Sequence, residues 1–136
     1  MDHASIAVLA LFQEVIVTPT IRHTRALIAT RFVLAAIFLF SGASKIAGSQ
    51  FSIESFARWG YPDWFRVLVG ALEVTGAFGL AGRATSPAAA AGLALLMAGA
   101  AVTHLRAPGE AALALLPAAL AVVLVVVSRT SRGRAG

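Results

Sequence analysis

The chain has no cysteine among its 136 residues. Disulfides, thiol redox relays and thiolate metal sites are therefore excluded from any chemistry it performs alone, and a redox role would need a cofactor or a partner. Charge is scarce as well: 12% of residues are charged against 59% hydrophobic, and the mean hydropathy is +0.85. A water-soluble core of this size could not hide so much apolar surface. The composition predicts an integral membrane protein of one domain, with the lipid bilayer as its first partner.

Several catalytic signatures are missing too. There is no glycine-flanked serine elbow, no pair of metal-binding histidines on one helix, and no metal, haem or flavin motif. The expectation is that the chain is not an enzyme on its own, with no catalytic residue and no metal site. The net charge of +5 comes from arginines at the ends of apolar runs, not from one basic face, so nucleic acid is not an expected partner.

What is present is the stretch 65–82, FRVLVGALEVTGAFGLAG, apolar except for one carboxylate, Glu73. An ionisable group at bilayer depth costs about 2.5 to 3.5 kcal/mol on insertion scales, so it is expected to face the interior of a helix bundle and to find a partner on another helix. Gly70, Gly76 and Gly79 flank Glu73 at spacings that let helix backbones approach closely.

The partner is sought in the first spanning candidate, residues 27–46, preceded by Arg22, His23 and Arg25 in a signal-anchor pattern. Arg31 and Lys45 lie about 21 Å apart along that helix and nearly on one face, with Leu34, Phe38 and Gly42 between them. Counting from the ends of the spans puts each of them about 10 Å from the level of Glu73. Either both cations snorkel to the two head-group layers, or one turns inward and pairs with Glu73.

Residues 47–64 carry too many polar groups to span and read as an interfacial connector. Ser52 is a candidate cap for a short helix, Glu54 and Arg58 are spaced as a favourable pair, and Trp59, Tyr61 and Trp64 suit a membrane surface. Gly60 and Pro62 turn the chain back. This loop is either a lid over one mouth of the bundle or a plain connector.

Pro87 suits the first turn of a third span, 88–105, which is nearly all small residues and is expected to be central and tightly packed. His104 closes it at the face of Lys45, as an end residue or, with a quinone bound nearby, as a proton relay. Residues 111–127 form a fourth span that Pro117 is expected to kink. A basic tail follows, with Arg129, Arg132 and Arg134.

The predicted fold is all-α, a four-helix transmembrane bundle in residues 26–128, with a short amphipathic interfacial segment between the first two spans. Residues 1–25 form an extension with an apolar run at 6–17 too short to span. The excess of Lys and Arg on the side of the termini places both in the cytoplasm.

Arg31, Phe38, the run Phe40-Ser41-Gly42-Ala43-Ser44-Lys45, Gly60-Tyr61-Pro62, and Glu73 followed by Gly76 and Leu80-Ala81-Gly82 together resemble the DoxX-like family of small bacterial membrane proteins. The resemblance covers about residues 27–128. It implies a four-helix bundle in the bacterial plasma membrane, with characteristic polar positions at Arg31, Gly42, Lys45 and Glu73. Some members are associated with quinone-linked thiosulfate oxidation and others with complexes handling oxidative or thiol stress. Likeness at this level carries the scaffold over more safely than the chemistry.

Three functions are therefore expected in order: a non-catalytic subunit or scaffold that docks a partner membrane or redox protein, a quinone-reactive subunit, and a binder or carrier of a small hydrophobic molecule. A homo-oligomer formed through the small-residue faces is a further expectation.

Overall fold

The computed structural model describes residues 3–13 and 18–133, and every regular element among them is helical. The chain divides into two compact units, Met1–Thr30 and Arg31–Gly136. Arg134 and Gly136 lie outside the described residues, as does the side chain of Arg22, so the predicted charge count at the termini is only partly represented.

In the first unit, α1 (His3–Phe12) is apolar on all sides, and its ten residues rise only about 15 Å, half a bilayer core. The helix α2 (Thr18–Ile46) begins here, nine residues before the predicted span. Pro19 does not end a segment but stands in the first turn of α2, where a missing backbone N–H is tolerated.

The second unit holds the rest of α2, then α3 (Gln50–Arg58), α4 (Asp63–Ala81), α5 (Ser86–Arg106), a single 3₁₀ turn at Ala111–Ala114, and α6 (Leu115–Arg132). Four helices are long and apolar enough to cross a membrane: His23–Ile46, Asp63–Ala81, Ser86–Arg106 and Ala111–Arg132. These are the four predicted spans.

The connector departs from expectation in two places. Ser49, not Ser52, caps α3, accepting from the Ser52 N–H at 3.4 Å, because Gly48 takes a φ of 71° and ends the turn one residue earlier. Glu54 accepts from Gln50 instead of pairing with Arg58, whose guanidinium reaches another element.

The core is built from one face of each spanning helix. Leu34 and Phe38 of α2, Ala77 and Leu80 of α4, Leu93 and Met97 of α5, and Leu124 and Val127 of α6 are buried. Outward residues are equally apolar, with Phe40 80% and Leu95 77% exposed, as lipid-facing surfaces require. The helix α5 packs against both α4 and α6, the central place expected of it. It is not tightly packed all round, however: Gly92 and Gly99 have no other atom within 4 Å of where a side chain would begin.

Pro117 produces no mid-helix kink. The 3₁₀ turn absorbs residues 111–114, so Pro117 falls in the first turn of α6, where its lacking N–H breaks no helical bond. The helix then runs on to Arg132, taking up most of the segment expected as a tail.

Candidate functional site

Close contact between α2 and α4 creates the site. A methyl group on Gly42 would lie 2.6 Å from the Gly70 carbonyl oxygen, and one on Gly70 would lie 2.8 Å from the Gly42 carbonyl oxygen. Two facing glycines thus bring the backbones together. Gly76 and Gly79 serve a different interface, since their bare faces meet Leu93 and Ala89 of α5.

The crossing sets the register of the charges. Lys45 comes level with Gly70, one turn from Glu73, much nearer than counting from the span ends implies. Its ammonium donates to Glu73 Oε2 at 2.9 Å and to Ser41 Oγ at 2.7 Å. The Glu73 side chain is 2% exposed and that of Lys45 18%, so the carboxylate is enclosed while its cation keeps a path outward. A carboxylate at this depth is tolerable because the ammonium and a hydroxyl share its environment.

Arg31 also turns inward but goes elsewhere. Its Nε and Nη2 donate to the carbonyls of Leu80 and Ala81 at 2.8 and 3.0 Å. These carbonyls belong to the last turn of α4, which has no intrahelical donors for them, and a cation there also suits the negative end of the helix. Arg31 is a cap for α4, separate from the Glu73 pair.

His104 forms a third cluster, at the end of the bundle that carries the connector. Glu110 Oε2 accepts from the Trp59 indole N–H at 2.9 Å and lies 3.0 Å from His104 Nδ1, while Arg58 Nε is 3.1 Å from Oε1. Trp59 and His104 meet edge to face, and the Tyr61 hydroxyl shares a hydrogen bond with Thr103 at 3.0 Å. The connector is thereby fastened over the end of α5. Trp64 takes no part in this and is 65% exposed beside Phe65. The indole hydrogen bond lowers the Glu110 carboxyl below its usual range; partial burial opposes this, while the His104 hydrogen bond and the Arg58 and His104 charges add to it.

The four polar residues grouped from sequence therefore divide into three places, and only Lys45 meets Glu73. Two participants were not singled out in the sequence. Arg66, 5% exposed, is held by Asp63 at 2.8 Å and donates to the Lys45 carbonyl, tying α4 to the end of α2. The i, i+3 spacing of Asp63 and Arg66 was the available signal. Glu110 had none, because its partner Trp59 lies 51 residues away in sequence.

One apolar groove of about 420 Å³ lies between α4 and α5, lined by Leu72, Gly76, Ala89, Gly92, Leu93, Leu95 and Leu96. None of the lining residues is titratable, and Glu73 is not among them. Among the described residues no group of three His, Cys, Asp or Glu could hold a metal ion.

Comparison with known proteins agrees with this architecture. No curated protein and no solved structure matches the chain. A family model described as the DoxX-like family matches residues 29–127, which include α4, α5, most of α6, and the Arg31, Lys45, Glu73 and His104 positions. The chain is a membrane protein of the DoxX-like family.

Proposed function

We propose that the protein is a non-catalytic scaffold subunit of a membrane system, in which the Lys45–Glu73 pair sets helix register and the fastened connector offers a docking surface. The observation that carries this reading is the enclosure of Glu73: its carboxylate is 2% exposed and already neutralised by Lys45 at 2.9 Å. A buried, satisfied ion pair specifies a unique packing better than it serves a reaction needing access. The lysine and arginine count supports a bacterial plasma-membrane location with both termini in the cytoplasm.

A quinone-reactive subunit remains the second reading, favoured by the partial exposure of Lys45 beside Glu73. An ammonium has three donors, and Glu73 and Ser41 take two, so an acceptor such as a quinone carbonyl has one left to use.

Gentle purification in native lipids followed by mass spectrometry of everything bound tests the two. A protein partner without quinone, released by Trp59→Ala but not by Trp64→Ala, is the scaffold result. Recovery of quinone together with a dehydrogenase, both lost in Lys45→Met, would replace it with the redox-subunit reading.

A further inference from the structure

We infer that the groove between α4 and α5 holds an acyl chain of an anionic phospholipid whose headgroup rests on Arg83. The groove owes its depth to glycine: Gly92 leaves open space on α5, and Gly76 lets Leu93 lie against the α4 backbone. Its lining offers only apolar side chains and bare backbone, which suits a hydrocarbon chain.

The charge distribution selects the headgroup. At the connector end every acid is matched: Asp63 holds Arg66, Glu110 holds Arg58, Glu54 accepts from Gln50, and deeper in the bundle Glu73 holds Lys45. The opposite end, where the Ser128 hydroxyl ties α6 to the Pro87 carbonyl of α5, carries Arg31, Arg83, Arg129 and Arg132 and no carboxylate among the described residues. Arg31 is taken by the α4 carbonyls. Arg83 is exposed and makes no hydrogen bond or ion pair among the described residues.

Arg83 also stands at the right place. Gly79 meets Ala89 where α4 and α5 close together, and the Thr85 hydroxyl donates to the Gly79 carbonyl at 2.7 Å, so the groove ends at the turn that bears Arg83. A second copy of the chain is a poorer occupant. Inserted in the same orientation, it would bring another acid-free basic end alongside the first.

The test uses the full chain in mild detergent with phosphatidylglycerol or phosphatidylcholine added, and native mass spectrometry of what is retained. Phosphatidylglycerol is expected to be retained about fivefold better, the preference one arginine supplies near an anionic headgroup. Arg83→Gln should equalise the two lipids, Arg106→Gln at the other end should not, and Gly92→Leu should lower retention of both. Because Gly92→Leu could disturb the fold, phosphatidylglycerol with a photoreactive acyl chain provides an independent readout on the native chain. Adducts are expected in peptides containing Leu72, Gly76 and Leu95. Equal retention of the two lipids, selectivity untouched by Arg83→Gln, adducts confined to α2 or α6, or a lipid-free dimer sealed along α5 would each overturn the assignment.

Discussion

Lys45 reaches Glu73 at 2.9 Å across the point where Gly42 and Gly70 place their backbones in contact. The ion pair and the glycine pair depend on each other. Without the close crossing the ammonium would stand farther from the carboxylate, and without the ammonium the crossing would enclose an unpaired charge.

Removing one member of the pair should therefore cost more than removing both. Glu73→Ala or Lys45→Met is expected to lower stability by about 3 kcal/mol or more, as for other broken buried pairs, with Glu73→Gln milder because it still accepts a hydrogen bond. The double variant Glu73→Gln/Lys45→Met should recover part of the loss. Thermal unfolding in detergent measures all four, and equal, negligible shifts would place the carboxylate in contact with water or head groups.

The glycines make a sharper comparison. Gly42→Ala puts a methyl against the Gly70 carbonyl, a backbone atom that cannot rotate away, and overpacking of this kind costs about 1–3 kcal/mol. Gly92→Ala meets nothing within 4 Å and should be neutral or stabilising by up to about 1 kcal/mol through helix propensity. Similar melting temperatures for the two variants would contradict the close crossing.

Arg31 should be irreplaceable by lysine. Its fork spans two successive carbonyls, Leu80 and Ala81, and a single ammonium lacks that geometry. Arg31→Lys is expected to speed hydrogen exchange at the amides of Ala81 and Gly82 by loosening the last turn of α4, leaving the middle of α5 protected. Unchanged exchange would remove Arg31 as the cap.

Glu110 introduces a pH dependence whose sign follows from its lowered pKa. The unfolded chain binds a proton at the ordinary glutamate value of about 4.3, the folded chain only at lower pH. The stabilisation is thus present above the unfolded value and is lost as pH falls through the folded one. In a Trp64→Phe background, Trp59 emission should shift as the connector loosens in that acid window, and Glu110→Gln should abolish the step.

Membrane orientation is open to direct labelling, because no native cysteine interferes. Gly136→Cys should resist an impermeant thiol reagent in intact cells and Gln50→Cys should react. Reversed labelling would invert the proposed topology.

Much of this was determined by sequence alone. Hydropathy over four runs is a local property, and it delivered the four spans and the all-α fold because a chain in lipid must satisfy its backbone within each segment. The buried face of α2, from Arg31 through Leu34, Phe38 and Gly42, follows from helical period by the same reasoning. Proline and serine were read less well. Pro117 was assigned a kink and Ser52 a cap because hydropathy marks where a span lies but not where its first helical bond forms.

Tertiary structure alone decided which charge meets which. Lys45 and Arg31 are equivalent in sequence as cations at the two ends of one face, and only the level at which Gly42 meets Gly70 gives Glu73 to the first and the α4 carbonyls to the second. Glu110 became the anchor of Trp59, His104 and Arg58 for the same reason. Long-range pairing depends on how helices cross, and that is set by backbone contact at a few small residues, which no single helix records.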